Sequence, residues 1–153
     1  MSSATLRLTG EAREVALAEA QAVRAMASDD GYRERLAGLV GAATEGELGE
    51  DDAETLEELL ELGLQSGRIR ALYGPGGEQA ALSVYRGLPR GSELVESARE
   101  VTDALRALAG RELGAIELKA VGPGAFTLSI AAGELELSLR LDRQGARLSS
   151  AGI

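Results

Sequence analysis

The stretch GAIELKAVGPGAFTLSIAAGELELSLRLDRQGARLSSAGI, residues 114–153, alternates apolar and polar residues with a period of two, the pattern of strands that bury one face. Ile116, Leu118 and Ala120 share a parity in the first run, and Phe126, Leu128 and Ile130 in the second. Leu135, Leu137, Leu139 and Leu141 do so in the third, while ARLSSAGI at 146–153 follows the pattern more weakly. The connections GPG at 122–124, AAG at 131–133 and DRQG at 142–145 are short and contain glycine, which suits neighbouring antiparallel strands. A four-stranded antiparallel meander is expected, with one leucine-rich face in need of cover.

Cover is expected from the segment just before it. Ser92 is suited to cap the helix ELVESAREVTDALRALAG, and Gly110 to end it. Leu94, Ala98, Val101, Leu105 and Leu108 recur at spacings of four and three, so one seam of this helix must be buried. The opposite sheet face carries Glu117, Lys119, Thr127, Ser129, Glu136, Ser138 and Arg140. That face reads either as solvated or as a binding or dimer surface, for which an unpaired strand edge is also suited.

Upstream the chain reads as helical. TLRLT at 5–9 is a short strand candidate, EAREVALAEAQAVRAMA a helix rich in strong formers, and a second helix is expected from Tyr32 to about Ala43. TEGELGE reads as a loop. A third helix is expected from Asp51 or Asp52, whose carboxylate would cap it, with Leu56, Leu59, Leu60 and Leu64 as its buried stripe and Gly67 at its end. The resulting fold class is α+β, with a mainly helical region at 1–90 and a helix plus antiparallel sheet at 91–153, which could also form one continuous domain.

Charge is concentrated. Nine acidic residues and no basic one lie between Glu45 and Glu61, and the rest of the chain is balanced, so this segment carries the whole net charge of −9. Without a basic excess, and with only four aromatic residues, nucleic acid is not an expected partner. Glu54, Glu57, Glu58 and Glu61 repeat at helical spacing but lack the histidines of a di-metal bundle site, so they read as a solvated face and no metal or cofactor is expected.

Histidine and cysteine are both absent, which removes the usual general base near neutral pH and every thiolate nucleophile. Lys119 reads as a solvated strand residue. No enzymatic activity is expected. The apolar runs are too short to span a membrane, and MSSATLRLTGEARE lacks the regions of a secretory signal, so a cytoplasmic location is expected.

LYGPGGEQAAL at 72–82 invites comparison with a phosphate loop, but Glu78 and Gln79 stand where lysine and a hydroxyl residue belong. It reads as a turn, Gly accepting positive φ beside Pro75. The adjoining segment EQAALSVYRGLP is favoured as a helix closed by Gly87 and Pro89; the alternative is a hairpin of RIRALY with AALSVYR. In the hairpin case the order helix, two strands, helix, three strands over about 54–141 resembles the roadblock class, and that resemblance implies a dimeric regulator of small GTPases.

The leading expectation is a non-enzymatic interaction or adaptor protein that associates with itself, forming a homodimer or meeting another protein partner. Asp51, Asp52, Glu54, Glu57, Arg68, Arg70 and Tyr73 are the candidate partner-binding residues. The alternative from another class is a small-anion or metabolite domain that uses Arg68, Arg70, Tyr73 and Tyr85, with Arg86 and Arg90 nearby.

Overall fold

Asp29 starts the second helix by accepting a hydrogen bond from the Tyr32 amide at 2.7 Å, which satisfies one of the free donors at a helix start. Such local signals account for much of the computed structural model, which describes residues 5–152. Of the expected elements, only Ile153 at the end of the fourth strand lies outside them. The chain forms two compact units that divide between Gly91 and Ser92.

In the first unit, strand β1 (Leu6–Arg7) precedes helices α1 (Gly10–Met26) and α2 (Asp30–Glu45). Strand β2 (Glu47–Leu48), helices α3 (Glu50–Gln65) and α4 (Arg68–Gly87), and the first turn of helix α5 (Pro89–Arg106) come next. β1 and β2 pair antiparallel, Leu6 opposite Leu48, so the segment expected to be a loop supplies a short strand. α1 packs on α2 and α4, and α3 on α2 and α4. Leu36, Leu39, Leu48, Leu56, Leu59, Leu60, Ile69 and Leu88 are fully buried between them. Each such side chain contributes about 1.5–3 kcal/mol over leaving it in water.

Several boundaries differ from expectation, each for a local reason. Gly49, not Asp51 or Asp52, precedes α3, and no side chain caps it; the acidic residues Glu50, Asp51 and Asp52 instead fill the first turn, where negative charge complements the helix dipole. α5 begins at Pro89, three residues before Ser92. Proline suits a first helical position, and the buried Glu57 carboxylate from α3 accepts the Arg90 amide there, so a tertiary partner does the capping expected of Ser92. Gly91 is required at that turn because a Cβ would collide with the Tyr85 carbonyl.

Residues 68–87 are helical on both sides of Gly74, which excludes the hairpin and with it the resemblance to the roadblock class. Gly74 itself has φ 71° and ψ −176°, a conformation open to glycine, so the expected turn is a kink between two helical segments. Pro75 then opens the second segment, where its missing amide costs nothing.

The second unit contains the rest of α5 and strands β3 (Ile116–Gly122), β4 (Ala125–Ala132), β5 (Leu135–Asp142) and β6 (Gly145–Gly152). All neighbours are antiparallel in the order β3-β4-β5-β6, as the spacing of the apolar residues implied. Register aligns the apolar positions in rows: Ile116, Ile130, Leu137 and Ala151 form one, and Leu118, Leu128, Leu139 and Leu148 the next. α5 reaches this face near the β5–β6 turn. The Ser97 hydroxyl donates to the Ala146 carbonyl, and a Cβ on Gly145 would lie 2.6 Å from Leu94 Cδ2.

Coverage of that face is partial. Val101, Ile130, Leu137 and Leu139 are buried, whereas Ile116 and Leu118 of β3 are 57% and 58% exposed. The leucine face is therefore buried in its middle and open at the β3 side, and α5 meets the sheet at the β5–β6 turn. The helix seam is shared unequally too: Val101 is buried, Leu94, Leu105 and Leu108 are half-buried, and Ala98 is exposed.

Leu60→Ala should destabilise the helical unit by about 2–5 kcal/mol, the range for truncating a buried leucine. A lowered urea midpoint in far-UV circular dichroism would record it. Leu62→Ala, at a position 63% exposed, should leave the midpoint nearly unchanged.

Candidate functional site

Two clusters of charged side chains surround the buried carboxylates of the helical unit. Glu19 of α1 occupies the buried stripe with Val15, Ala16 and Ala20 and is fully buried. Arg68, at the start of α4, donates to Glu19 Oε2 and forms an ion pair with it, while Oε1 has no hydrogen-bond partner. Tyr73, one turn further along α4, has its hydroxyl pKa raised by burial first and then by the Glu19 charge, which Arg68 partly opposes.

The second cluster joins α3 to the start of α5. Arg90 Nη1 lies 3.0 Å from Glu61 Oε2, and its Nε 3.8 Å from Glu57 Oε2. Tyr85 is buried beside them, its pKa raised by desolvation and then by the charges of Glu61 and Glu57. The acidic helix face is thus not simply solvated. Glu57 is buried, and Glu58 pairs with Arg35 at 3.1 Å.

Of the expected partner-binding residues, Asp51 and Glu54 are exposed on α3 and Asp52 is half-buried. Arg70 turns away from Arg68 and pairs across the Gly74 kink with Glu78 at 3.2 Å. Arg68, Arg70 and Tyr73 therefore do not converge on an anion: each arginine already faces a carboxylate. Among the described residues no cluster of three or more histidine, cysteine, aspartate or glutamate side chains is arranged for a metal ion. No helix among them is long and apolar enough to cross a membrane.

The second unit offers surface of another kind. Ile116, Leu118 and Phe126 are 40% or more exposed on the apolar sheet face, and Leu148 is exposed at its far side. β3 is exposed along its whole length and has a partner on one side only. The polar face holds a shallow hollow of about 210 Å³ lined by Glu117, Ser129, Glu136, Ser138 and Ser150, smaller than the usual small-molecule pocket. Another, of about 420 Å³, lies between residues 111–114 and Ala132-Gly133; its charged lining residues, Arg111 and Glu112, have opposite sign.

At the β5–β6 turn Asp142 accepts the Gln144 amide at 2.9 Å and pairs with Arg147 and Arg140. Its carboxyl is held below the usual range by the Gln144 amide above all, and by the two arginines. This is a turn lock rather than a reactive group. Glu19 and Asp142 were absent from the sequence-based candidates. The signal for Glu19 was available, since it stands four residues after Val15 on the apolar side of α1.

The chain was compared with protein-family models, curated proteins and solved structures, and none of them matches it.

Removing the Arg68 charge should be worse than removing the pair. Arg68→Met leaves Glu19 buried and uncompensated, an arrangement that costs about 3–5 kcal/mol when a pair is fully buried and less here because Arg68 is partly exposed. The double variant Glu19→Met with Arg68→Met should recover most of that loss. A double-mutant cycle in urea denaturation measures the difference.

Proposed function

We propose that this chain is a non-enzymatic protein–protein interaction or adaptor protein that associates with itself through the sheet of its second unit. The observation that carries the reading is the apolar strip beside an unpaired strand edge, with Ile116 and Leu118 more than half exposed and Phe126 next to them. Clustered large apolar side chains on a surface are costly to leave in water and mark contact sites. An unpaired edge supplies a row of backbone donors and acceptors to the same partner.

The chemistry of the chain agrees. It has no histidine or cysteine, and the arginines nearest the Gly74 kink are neutralised by Glu19 and Glu78. That neutralisation weighs against the small-anion reading. The acidic helix is the weaker candidate contact, because Glu57 is buried and Glu58 and Glu61 are paired. A cytoplasmic location fits a cysteine-free chain.

Sedimentation velocity over a wide concentration range tests the reading. The full chain should rise toward twice its monomer mass. Ile116→Ser with Phe126→Ser should weaken association at least about tenfold while barely changing the melting temperature, since both side chains are already exposed. A monomer at every concentration would refute it.

A further inference from the structure

We propose that two copies of the chain pair antiparallel along β3, about a two-fold axis through Leu118. This deepens the self-association reading and rests on it. The sheet has two edges, and they are not equivalent. β6 is interrupted in mid-strand, where Ser138 faces Ser150 and Leu139 faces Leu148, leaving Ser149 as an extra residue. β3 keeps a regular register from Ile116 to Ala120, with its irregularity confined to the end near Gly122. A regular, exposed edge accepts another strand, and a bulged one resists it.

Backbone direction identifies which groups are free. The Ala131 amide donates to the Ala115 carbonyl at 2.8 Å, and in the register that follows, with Glu117 opposite Ser129 and Lys119 opposite Thr127, residues 117 and 119 direct their amides and carbonyls toward β4. Ile116, Leu118 and Ala120 direct theirs outward. Those outward groups can make two bonds between Leu118 and its counterpart, and two more on each side between Ile116 and the second copy's Ala120.

Side-chain charge then selects the register. With Leu118 on the axis, residues equidistant from it face one another, so Glu117 meets the second copy's Lys119 and Lys119 meets its Glu117. Within one chain these two are exposed and 3.5 Å apart along the strand; pairing would join four alternating charges into one cluster. Shifting the register by one step reverses every side chain to the wrong face. Centring instead on Glu117 or Lys119 keeps the faces aligned but sets that charge against its own copy. The Leu118 centre sets each Glu117 against a Lys119 and joins the two apolar faces into one, with Leu118 against its counterpart.

The chain has no cysteine, which makes the register directly testable. Glu117→Cys and Lys119→Cys chains, mixed under mild oxidation, should form a disulfide between the two variants, while neither cross-links to itself. In sedimentation, Glu117→Lys and Lys119→Glu should each weaken self-association by about tenfold or more, and an equimolar mixture should recover it because the heterodimer restores both pairs. If the wild-type chain dimerises but both charge variants associate as it does, or either cysteine variant cross-links to itself alone, this pairing is overturned and the broader reading stands. A monomeric wild-type chain would overturn both.

Discussion

One helix is too narrow to cover four strands. An α-helix with its side chains is about 10–12 Å across, and strands lie about 4.8 Å apart, so a single helix shelters roughly two of them. In the second unit the alternation of leucines makes an apolar face four strands wide, which α5 meets at the β5–β6 turn. Burial is deepest at Leu137 and Leu139 on β5 and fades toward Leu118 on β3. The same pattern that makes the sheet fold therefore leaves hydrophobic surface at its margin, and the interaction reading begins from that remainder.

The helical unit manages its acidity differently. Its core is leucine-rich, yet two carboxylates, Glu19 and Glu57, are buried in it. Each holds elements together: Glu19 ties α1 to the start of α4 through Arg68, and Glu57 ties α3 to the start of α5 through the Arg90 amide. Buried charges of this kind add little net stability, because desolvation offsets much of their attraction. What they fix is where helices begin. α5 starts at Pro89 because an acceptor from another helix meets its first amides there.

Histidine and cysteine are absent from the sequence, and the arginines of the helical unit's charged clusters are paired with carboxylates. The tyrosines nearest the charged clusters, Tyr73 and Tyr85, have pKa values moved upward, away from the range in which a phenol could act as a base near neutrality. Arg68, Arg70 and Arg90 face carboxylates. On the sheet, Glu117, Ser129, Glu136, Ser138 and Ser150 line one shallow hollow of about 210 Å³.

Periodicity alone determined the four strands, their antiparallel order and the helix before them, since a period of two fixes which residues share a face and short glycine turns leave adjacent strands no other arrangement. Local chemistry likewise determined the presence of α2 and the break at Gly74, whereas the start of α2 at Asp30, two residues before the expected Tyr32, follows from the Asp29 cap. Tertiary structure decided which carboxylates are buried, where α5 starts and which leucines remain exposed. Those outcomes depend on contacts between residues far apart in the chain: Glu57 and Arg90 lie thirty-three residues apart, and no window of sequence contains both the charge and the amide that it caps. The exposure of Leu118 has the same origin, because a strand's pattern records that one face is apolar but not how far its cover extends.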